Sequence, residues 1–175
     1  MLIEMLMVST TIVEPRLPLD ENFIRDNKVN NTFGLVRNQK TKNHQGWDFE
    51  APLGSPVYAI APFSEHASGD HPNYGLWFAY KSINSGYIYF NAHLSYITPI
   101  LEGTVGSVIG NVGNTGNAVN VKPHLHFEMR TEWSPGPGLK GRVSPAKTFG
   151  SWKKYLRPAD NLESTNGGRV NDPFK

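Results

Sequence analysis

Short apolar runs alternate with turn residues along most of the chain. Runs rich in β-branched and aromatic side chains occupy residues 56–60, 76–80, 87–90 and 125–129, and glycine and proline recur between them. Such runs, separated by turn residues at short intervals, are typical of β-strands. Residues 84–86, Asn-Ser-Gly, separate the second run from the third, which predicts a hairpin. No helical period is sustained over about ten residues. The pattern predicts a mainly β domain with short peripheral helices.

Segments between and around these apolar runs have a different composition. Residues 103–116 contain five glycines, which predicts a tight meander in which the backbone turns often. The polar stretch that contains His66 and His71 is interpreted as a loop. We expect an N-terminal extension over residues 1–31, a domain over 32–150 and a C-terminal tail over 151–175.

Length and composition exclude several classes of protein. A chain of 175 residues is expected to form one domain with a core large enough for a preformed site. There are 17 basic and 15 acidic residues and no basic run, so nucleic acid is not an expected partner. No apolar run approaches the ~20 residues of a membrane span, and the N-terminus does not resemble a signal peptide. With no cysteine in the chain, any metal must be held by His, Asp or Glu.

Four of the six histidines lie in three clusters that suggest a metal site. Residues two apart in a strand face the same way, so His124 and His126 should point together and Leu125 toward the core. His44 and Asp48 are four apart around Gly46, which favours an extended segment. Zinc binds imidazole nitrogen and carboxylate oxygen, and a catalytic site keeps one position open. The clusters therefore suggest zinc with catalytic histidines around it.

Ordinary structural interpretations compete with this one. A single histidine is more often a surface or core residue than a ligand, and a His-x-His spacing arises by chance. Glu128 is either a solvated strand carboxylate, which is the slightly favoured interpretation, or a partner outside the ligand set that orients a histidine. What distinguishes the hypotheses is the order of motifs along the whole chain.

That order resembles the lysostaphin-like (LytM-type) zinc metallopeptidases, which cut peptidoglycan, over about residues 32 to 148. The resemblance is carried by Phe33-Gly34, His44-Gln45-Gly46-Trp47-Asp48-Phe49, Gly54-Ser55-Pro56-Val57-Tyr58-Ala59, Ala92-His93-Leu94-Ser95, Gly103, Gly106, Ile109-Gly110, Gly113-Asn114-Thr115-Gly116 and Pro123-His124-Leu125-His126-Phe127-Glu128. It implies an antiparallel β-sheet of the duplicated-hybrid-motif type, with a substrate groove across it.

The resemblance also implies a role for each polar position. Zinc would be held by His44, Asp48 and His126. His124 would be the general base, and His93 would stabilise the tetrahedral intermediate or share the proton transfer. The family usually has a tyrosine two residues before the middle histidine, where this chain has Asn91. Asn91 is therefore expected to contribute to substrate binding in the groove wall.

The function implied is a zinc endopeptidase that hydrolyses amide bonds in peptidoglycan stem peptides or cross-bridges. The alternative is a peptidoglycan-binding or hydrolase-activating module without activity, but the five polar positions are intact. A lipoyl- or biotin-carrier domain needs a lysine at a hairpin tip, and residues 103–116 contain none. We expect action at the bacterial cell wall or periplasm after delivery or secretion. A phage lysin or an antibacterial effector with a cognate immunity protein would fit that expectation.

Overall fold

The computed structural model describes residues 16–20, 33–37 and 41–149. The described part of the chain is almost entirely β-structure, as the sequence pattern predicts. Its strands are β1 (Gly34–Arg37), β2 (Lys42–His44), β3 (Trp47–Glu50), β4 (Pro56–Tyr58), β5 (Glu65–His71), β6 (Gly75–Lys81), β7 (Ile88–Ile97), β8 (Val108–Val112), β9 (His124–Arg130) and β10 (Arg142–Val143). Its helices are one 3-10 turn, Gly116–Ala118, and α1, Ala146–Phe149. Neither is long enough to span a membrane.

The strands form one antiparallel sheet of eight and a separate pair, β1 with β2. In the large sheet the order is β10-β9-β7-β6-β5, with β3 paired to β9 and β4 paired to β8. The ten-residue β7 lies at the centre: β6 pairs along one edge, and β9 and then β8 pair along the other. The predicted hairpin at residues 84–86 joins β6 to β7. The predicted antiparallel fold is confirmed.

The core lies on one face of β9 and its neighbours. Leu125, Phe127 and Met129 have no exposed surface. Phe127 packs against Phe49 and Phe149, with ring centroids 6.3 and 5.4 Å away. Because side chains alternate along a strand, the residues between these face the other side of the sheet. The packing of the core therefore orients His124, His126 and Glu128 together.

Part of the predicted N-terminal extension belongs to the domain. Leu17 and Leu19 are buried in the same core cluster as the β9 residues. The Tyr58 amide of β4 donates a hydrogen bond of 2.8 Å to the Pro18 carbonyl. Residues 16–20 therefore pack as a piece of the fold. The predicted tail, 151–175, lies outside the described residues.

The interpretation of His66 and His71 as loop residues was wrong. Both lie in β5, which pairs with β6 over its whole length. The His66 ring also stacks on Phe78, with centroids 5.3 Å apart. The polar sequence of this segment does not predict a strand, because β5 is held by main-chain pairing with β6 rather than by buried side chains.

Candidate metal centre and active site

Three potential ligand atoms converge at the junction of β2, β3 and β9. His44 is the last residue of β2, and Asp48 in β3 lies directly opposite His126 in β9. His44 Nε2 is 3.2 Å from His126 Nδ1 and 3.1 Å from Asp48 Oδ1. His126 Nδ1 is 2.8 Å from Asp48 Oδ1. All three residues are buried.

These separations fit a tetrahedral zinc ion. Ligand bonds of about 2.0–2.2 Å at tetrahedral angles place ligand atoms roughly 3.3 Å apart, close to the 2.8–3.2 Å observed. The three atoms form one face of such a tetrahedron and leave a fourth position. Two imidazoles and one carboxylate are also a ligand set that zinc accepts. The geometry and the chemistry of the donors both fit the metal.

The electrostatics of the cluster favour a cation. Burial opposes ionisation of Asp48, but hydrogen bonds from His126 and His44 keep the pKa of its carboxyl well below the usual range. Burial likewise opposes protonation of His126, but hydrogen bonds to Asp48 and Glu128 raise the pKa of its imidazole to about 9. The negative charge of the pocket therefore favours the binding of a cation between its donor atoms.

Glu128 is fully buried, so its interpretation as a solvated strand carboxylate was wrong. Its Oε1 lies 3.0 Å from His126 Nε2. Its Oε2 accepts hydrogen bonds of 2.8 Å from the Nε atoms of both Arg130 and Arg142. Burial opposes ionisation, but His126 and then Arg130 keep the pKa of Glu128 far below its usual value. An ionised Glu128 accepts the Nε2–H of His126 and leaves Nδ1 as the nitrogen directed at Asp48.

Glu128→Gln is expected to weaken zinc binding about 10- to 100-fold, the usual effect of losing an outer partner of a ligand histidine. The amide is neutral, and one end of it donates rather than accepts, so it cannot hold His126 and both guanidinium groups together. Competition against a chelator of known affinity measures the change. Glu65→Gln makes the same change at an exposed position of β5 and should leave zinc affinity unaltered. Equal affinities for the two variants would contradict this role for Glu128.

His93 and His124 lie beside the cluster and share one hydrogen-bonding pattern. His93 Nδ1 is 2.9 Å from the Thr115 carbonyl, and His124 Nδ1 is 2.9 Å from the Lys122 carbonyl. A carbonyl only accepts, so each Nδ1 carries a proton, and a ring that is otherwise unprotonated keeps a lone pair on Nε2. The two ring centroids are 4.8 Å apart. Burial, and then the charges of His126 and His124, lower the pKa of His93 to about 4, which leaves it neutral at pH 7.

The five predicted polar residues all line one cavity of about 810 Å³. Tyr74 also lines it, from the turn between β5 and β6, and was missed by sequence reasoning. Its ring stacks on His126, with centroids 6.1 Å apart, and its hydroxyl donates to Gln45 Oε1 at 3.0 Å. Burial and then the charge of Glu128 raise the pKa of this hydroxyl. No local sequence signal places Tyr74 here, because it approaches His126 through the pairing of distant strands.

Asn91 does not reach the cavity, so its expected place in the groove wall was wrong. It has no exposed surface, and its amide donates to the carbonyls of Phe78 and Tyr89 at 3.3 and 3.4 Å. In the register of β7 with β9, Asn91 lies opposite Phe127, a core residue, whereas Ala92 lies opposite His126. The side chain of Asn91 therefore belongs to the core face of the sheet.

Gly46 brings His44 and Asp48 against β9 because it has no side chain. A Cβ at this position would lie 2.1 Å from the Phe127 carbonyl oxygen. Gly46→Ala is expected to cost about 1–3 kcal/mol of unfolding free energy, the usual range for overpacking, and to weaken zinc binding by moving β2 and β3. Denaturant unfolding of metal-free and zinc-loaded protein measures both effects.

Gly86→Ala is the control for that experiment. Gly86 lies in a hairpin turn with φ of 73°, and a Cβ there would contact nothing within 4 Å. It should cost only the backbone strain of about 1–2 kcal/mol and leave zinc affinity unchanged. Unchanged zinc affinity in Gly46→Ala would contradict the close approach of β3 to β9 as the cause.

Comparisons with known proteins give a matching family model and several solved structures of similar fold. The sequence model of peptidase family M23 matches residues 42–137. The catalytic domain of the antimicrobial peptidase lysostaphin from Staphylococcus simulans is 22% identical, with a TM-score of 0.61, over 74% of this chain and 96% of that one. At that identity the likeness shows a shared fold.

Two other solved structures are more similar in sequence. A putative M23 peptidase from Pseudomonas aeruginosa is 30% identical, with a TM-score of 0.56, over 79% of this chain and 53% of that one. A zinc-containing peptidase from Vibrio cholerae is 26% identical, with a TM-score of 0.57, over 74% of this chain and 38% of that one. No curated protein matches the chain.

Proposed function

Because the chain belongs to peptidase family M23, we propose that it is a zinc-dependent endopeptidase that hydrolyses amide bonds in peptidoglycan stem peptides or cross-bridges. One observation carries the proposal: three buried ligand atoms converge within 3.2 Å of one another, in a cavity that two further histidines also line. The similar structures add support, since one is of a zinc-containing peptidase and another is of an antimicrobial peptidase.

We assign His44, Asp48 and His126 as the zinc ligands, with Glu128 orienting His126. When bound, zinc supplies Lewis acidity that polarises the scissile carbonyl and favours ionisation of water. With one carboxylate and two neutral imidazoles, the ligands leave a net charge of about +1 on the site. That charge would stabilise negative charge developing on a substrate carbonyl oxygen.

His124 and His93 perform the proton transfers. With Nδ1 protonated, each Nε2 is a proton acceptor within the cavity. We propose that His124 removes a proton from the attacking water. The attack forms a C–O bond, and the resulting imidazolium then donates its proton to the leaving amine as the C–N bond breaks. His93, 4.8 Å from His124 between ring centroids, shares this proton transfer.

Digestion of purified peptidoglycan sacculi tests the proposal. We expect zinc-loaded protein to release soluble muropeptides whose masses show a cleaved amide bond and intact glycan strands. Chelator-treated protein should release none, and added zinc should restore release. If zinc-loaded protein binds sacculi but releases no fragments, the chain is a binding module and the enzymatic proposal is wrong.

We propose that the protein acts at the cell wall or in the periplasm, where this substrate is located. Expression in a Gram-negative host with and without an added periplasmic signal sequence tests this. We expect lysis or growth arrest only with the signal, because peptidoglycan is absent from the cytoplasm. Expression of an Asp48→Ala variant with the same signal, in place of the parent, controls for the burden of export. Equal harmlessness of the parent in both compartments would contradict the proposed site of action.

A further inference from the structure

His93 has a backbone conformation that ordinary residues avoid. Its φ is 61°, and among the described residues it is the one non-glycine residue with a positive φ. Such conformations are strained and persist only where the surroundings enforce them, often at functional sites. The conformation of His93 therefore requires partners that hold it.

The strained residue lies in a bulge of β7. Phe78 of β6 pairs with Asn91 of β7, and Leu76 pairs with Leu94. Between these two pairs, β7 contains two residues and β6 contains one, so two residues of β7 face one residue of β6. A bulge inserts an extra residue and redirects the side chains that follow. Without it, His93 would share the core-facing side of Asn91; with it, His93 lines the cavity.

Thr115 contacts both the bulge and the imidazole. Its carbonyl accepts the Nδ1–H of His93 at 2.9 Å. Its hydroxyl donates to the Leu94 carbonyl at 2.8 Å and accepts the Leu76 amide at 3.0 Å. One side chain thus joins β6 to β7 at the bulge, and the carbonyl of the same residue holds the ring.

The surroundings leave Thr115 little freedom to move. A Cβ on Gly75 would lie 2.1 Å from Thr115 Oγ1, and a Cβ on Gly116 would lie 2.2 Å from the Gly75 amide nitrogen. The turn before β6 is therefore packed directly against residues 115–116. From the same turn, the Tyr74 carbonyl accepts the His93 amide at 2.8 Å.

We propose that Thr115 is the positioning residue that holds His93 in the tautomer with Nδ1 protonated, so that Nε2 is presented to the cavity as a proton acceptor. The hydrogen bond made by one ring nitrogen of a histidine decides which nitrogen carries the proton. The hydroxyl of Thr115 keeps its carbonyl in place, and the carbonyl selects the tautomer. The catalytic meaning of this arrangement rests on the function proposed above.

Nitrogen NMR of the zinc-loaded protein tests the proposal, since ¹⁵N shifts and long-range couplings report which imidazole nitrogen is protonated. In the parent we expect His93 with Nδ1–H and an unprotonated Nε2. Thr115→Val keeps the shape of the side chain and removes the hydroxyl. We expect a measurable Nε2–H population for His93 and zinc content equal to that of the parent. We expect kcat/KM to fall about 10- to 100-fold, less than the ~10²- to 10⁴-fold that complete loss of an acid–base group can cost.

Thr115→Ser retains the hydroxyl and should restore both the parent tautomer and most of the rate. Thr98→Val is the matched control, because the Thr98 hydroxyl makes no hydrogen bond within the described part of the chain and its amide pairs with Ile109. Thr98→Val should match the parent in both measurements.

A parent His93 protonated at Nε2 would overturn the proposal, as would Thr115→Val with the parent tautomer and rate. If Thr115→Val does not fold, the parent and Thr115→Ser spectra still decide, since an Nε2–H His93 in either would overturn it and Nδ1–H in both would support it. The spectra need no activity. A protein with the expected tautomers that fails to digest sacculi would contradict the proposed function and still support the positioning by Thr115.

Discussion

Asp48→Ala is expected to lose both zinc and hydrolysis. Asp48 is the only anionic group among the three convergent ligand atoms, and its Oδ1 lies within 3.1 Å of both ligand nitrogens. Its removal leaves two imidazoles in a buried pocket without the charge that attracts the metal. A two-nitrogen site also falls short of the three protein ligands that catalytic zinc sites use.

Elemental analysis of protein purified without added metal measures the first loss. We expect about one zinc per parent chain and essentially none in Asp48→Ala. Product release from sacculi measures the second loss. Asp70→Ala removes an exposed carboxylate of β5 and should retain the metal and the rate of the parent. An Asp48→Ala protein that keeps its zinc would show that the metal is held by other residues.

His93→Ala is expected to keep zinc and lose activity. His93 lies beside the ligand cluster, 5.8 Å from His126 between ring centroids, and its Nδ1 is bonded to the Thr115 carbonyl. Its removal takes a proton acceptor from the cavity and leaves the ligand atoms in place. Acid–base groups of this kind contribute about 10²- to 10⁴-fold in rate, so the loss should be plain in the sacculus assay.

His124→Ala should behave in the same way, with slightly weaker metal binding, because His124 precedes His126 by two residues on one face of β9. Asp70→Ala, which removes an exposed carboxylate of β5, is again the control and should match the parent. Zinc content and rate are compared for each variant. His93→Ala at the parent rate would show that the catalytic assignment of His93 is wrong.

The local pattern of apolar and polar residues is sufficient to predict much of the fold. The period of two along β9 correctly predicts that Leu125 enters the core while His124 and His126 share the other face. The hairpin at residues 84–86 follows from turn residues between two apolar runs. These features depend on neighbours a few residues away, so the sequence contains what decides them. The ligand set His44, Asp48 and His126 was a prediction from family resemblance, and the structure brings its atoms together.

The features that the sequence pattern did not predict depend on which strands pair with each other. Glu128 reads as an ordinary strand carboxylate, and it is buried because Arg142 of β10 and Arg130 of β9 converge on it. Asn91 was expected in the groove wall because it occupies the position, two residues before His93, where the family usually has a tyrosine. A bulge at His93 breaks the alternation of strand faces and leaves Asn91 in the core.

The direction of His93 is thus a property of the assembled sheet. It arises where the register of β7 with β6 shifts, and it is held by Thr115, 22 residues away in the chain. Tyr74 reaches His126 by the same kind of long-range pairing. The sequence by itself determined the apolar strands and the alternation that puts His124 and His126 on one face of β9. Only the tertiary structure decided where His93 points and what surrounds His126, because register and bulges are set by contacts between strands distant in the chain.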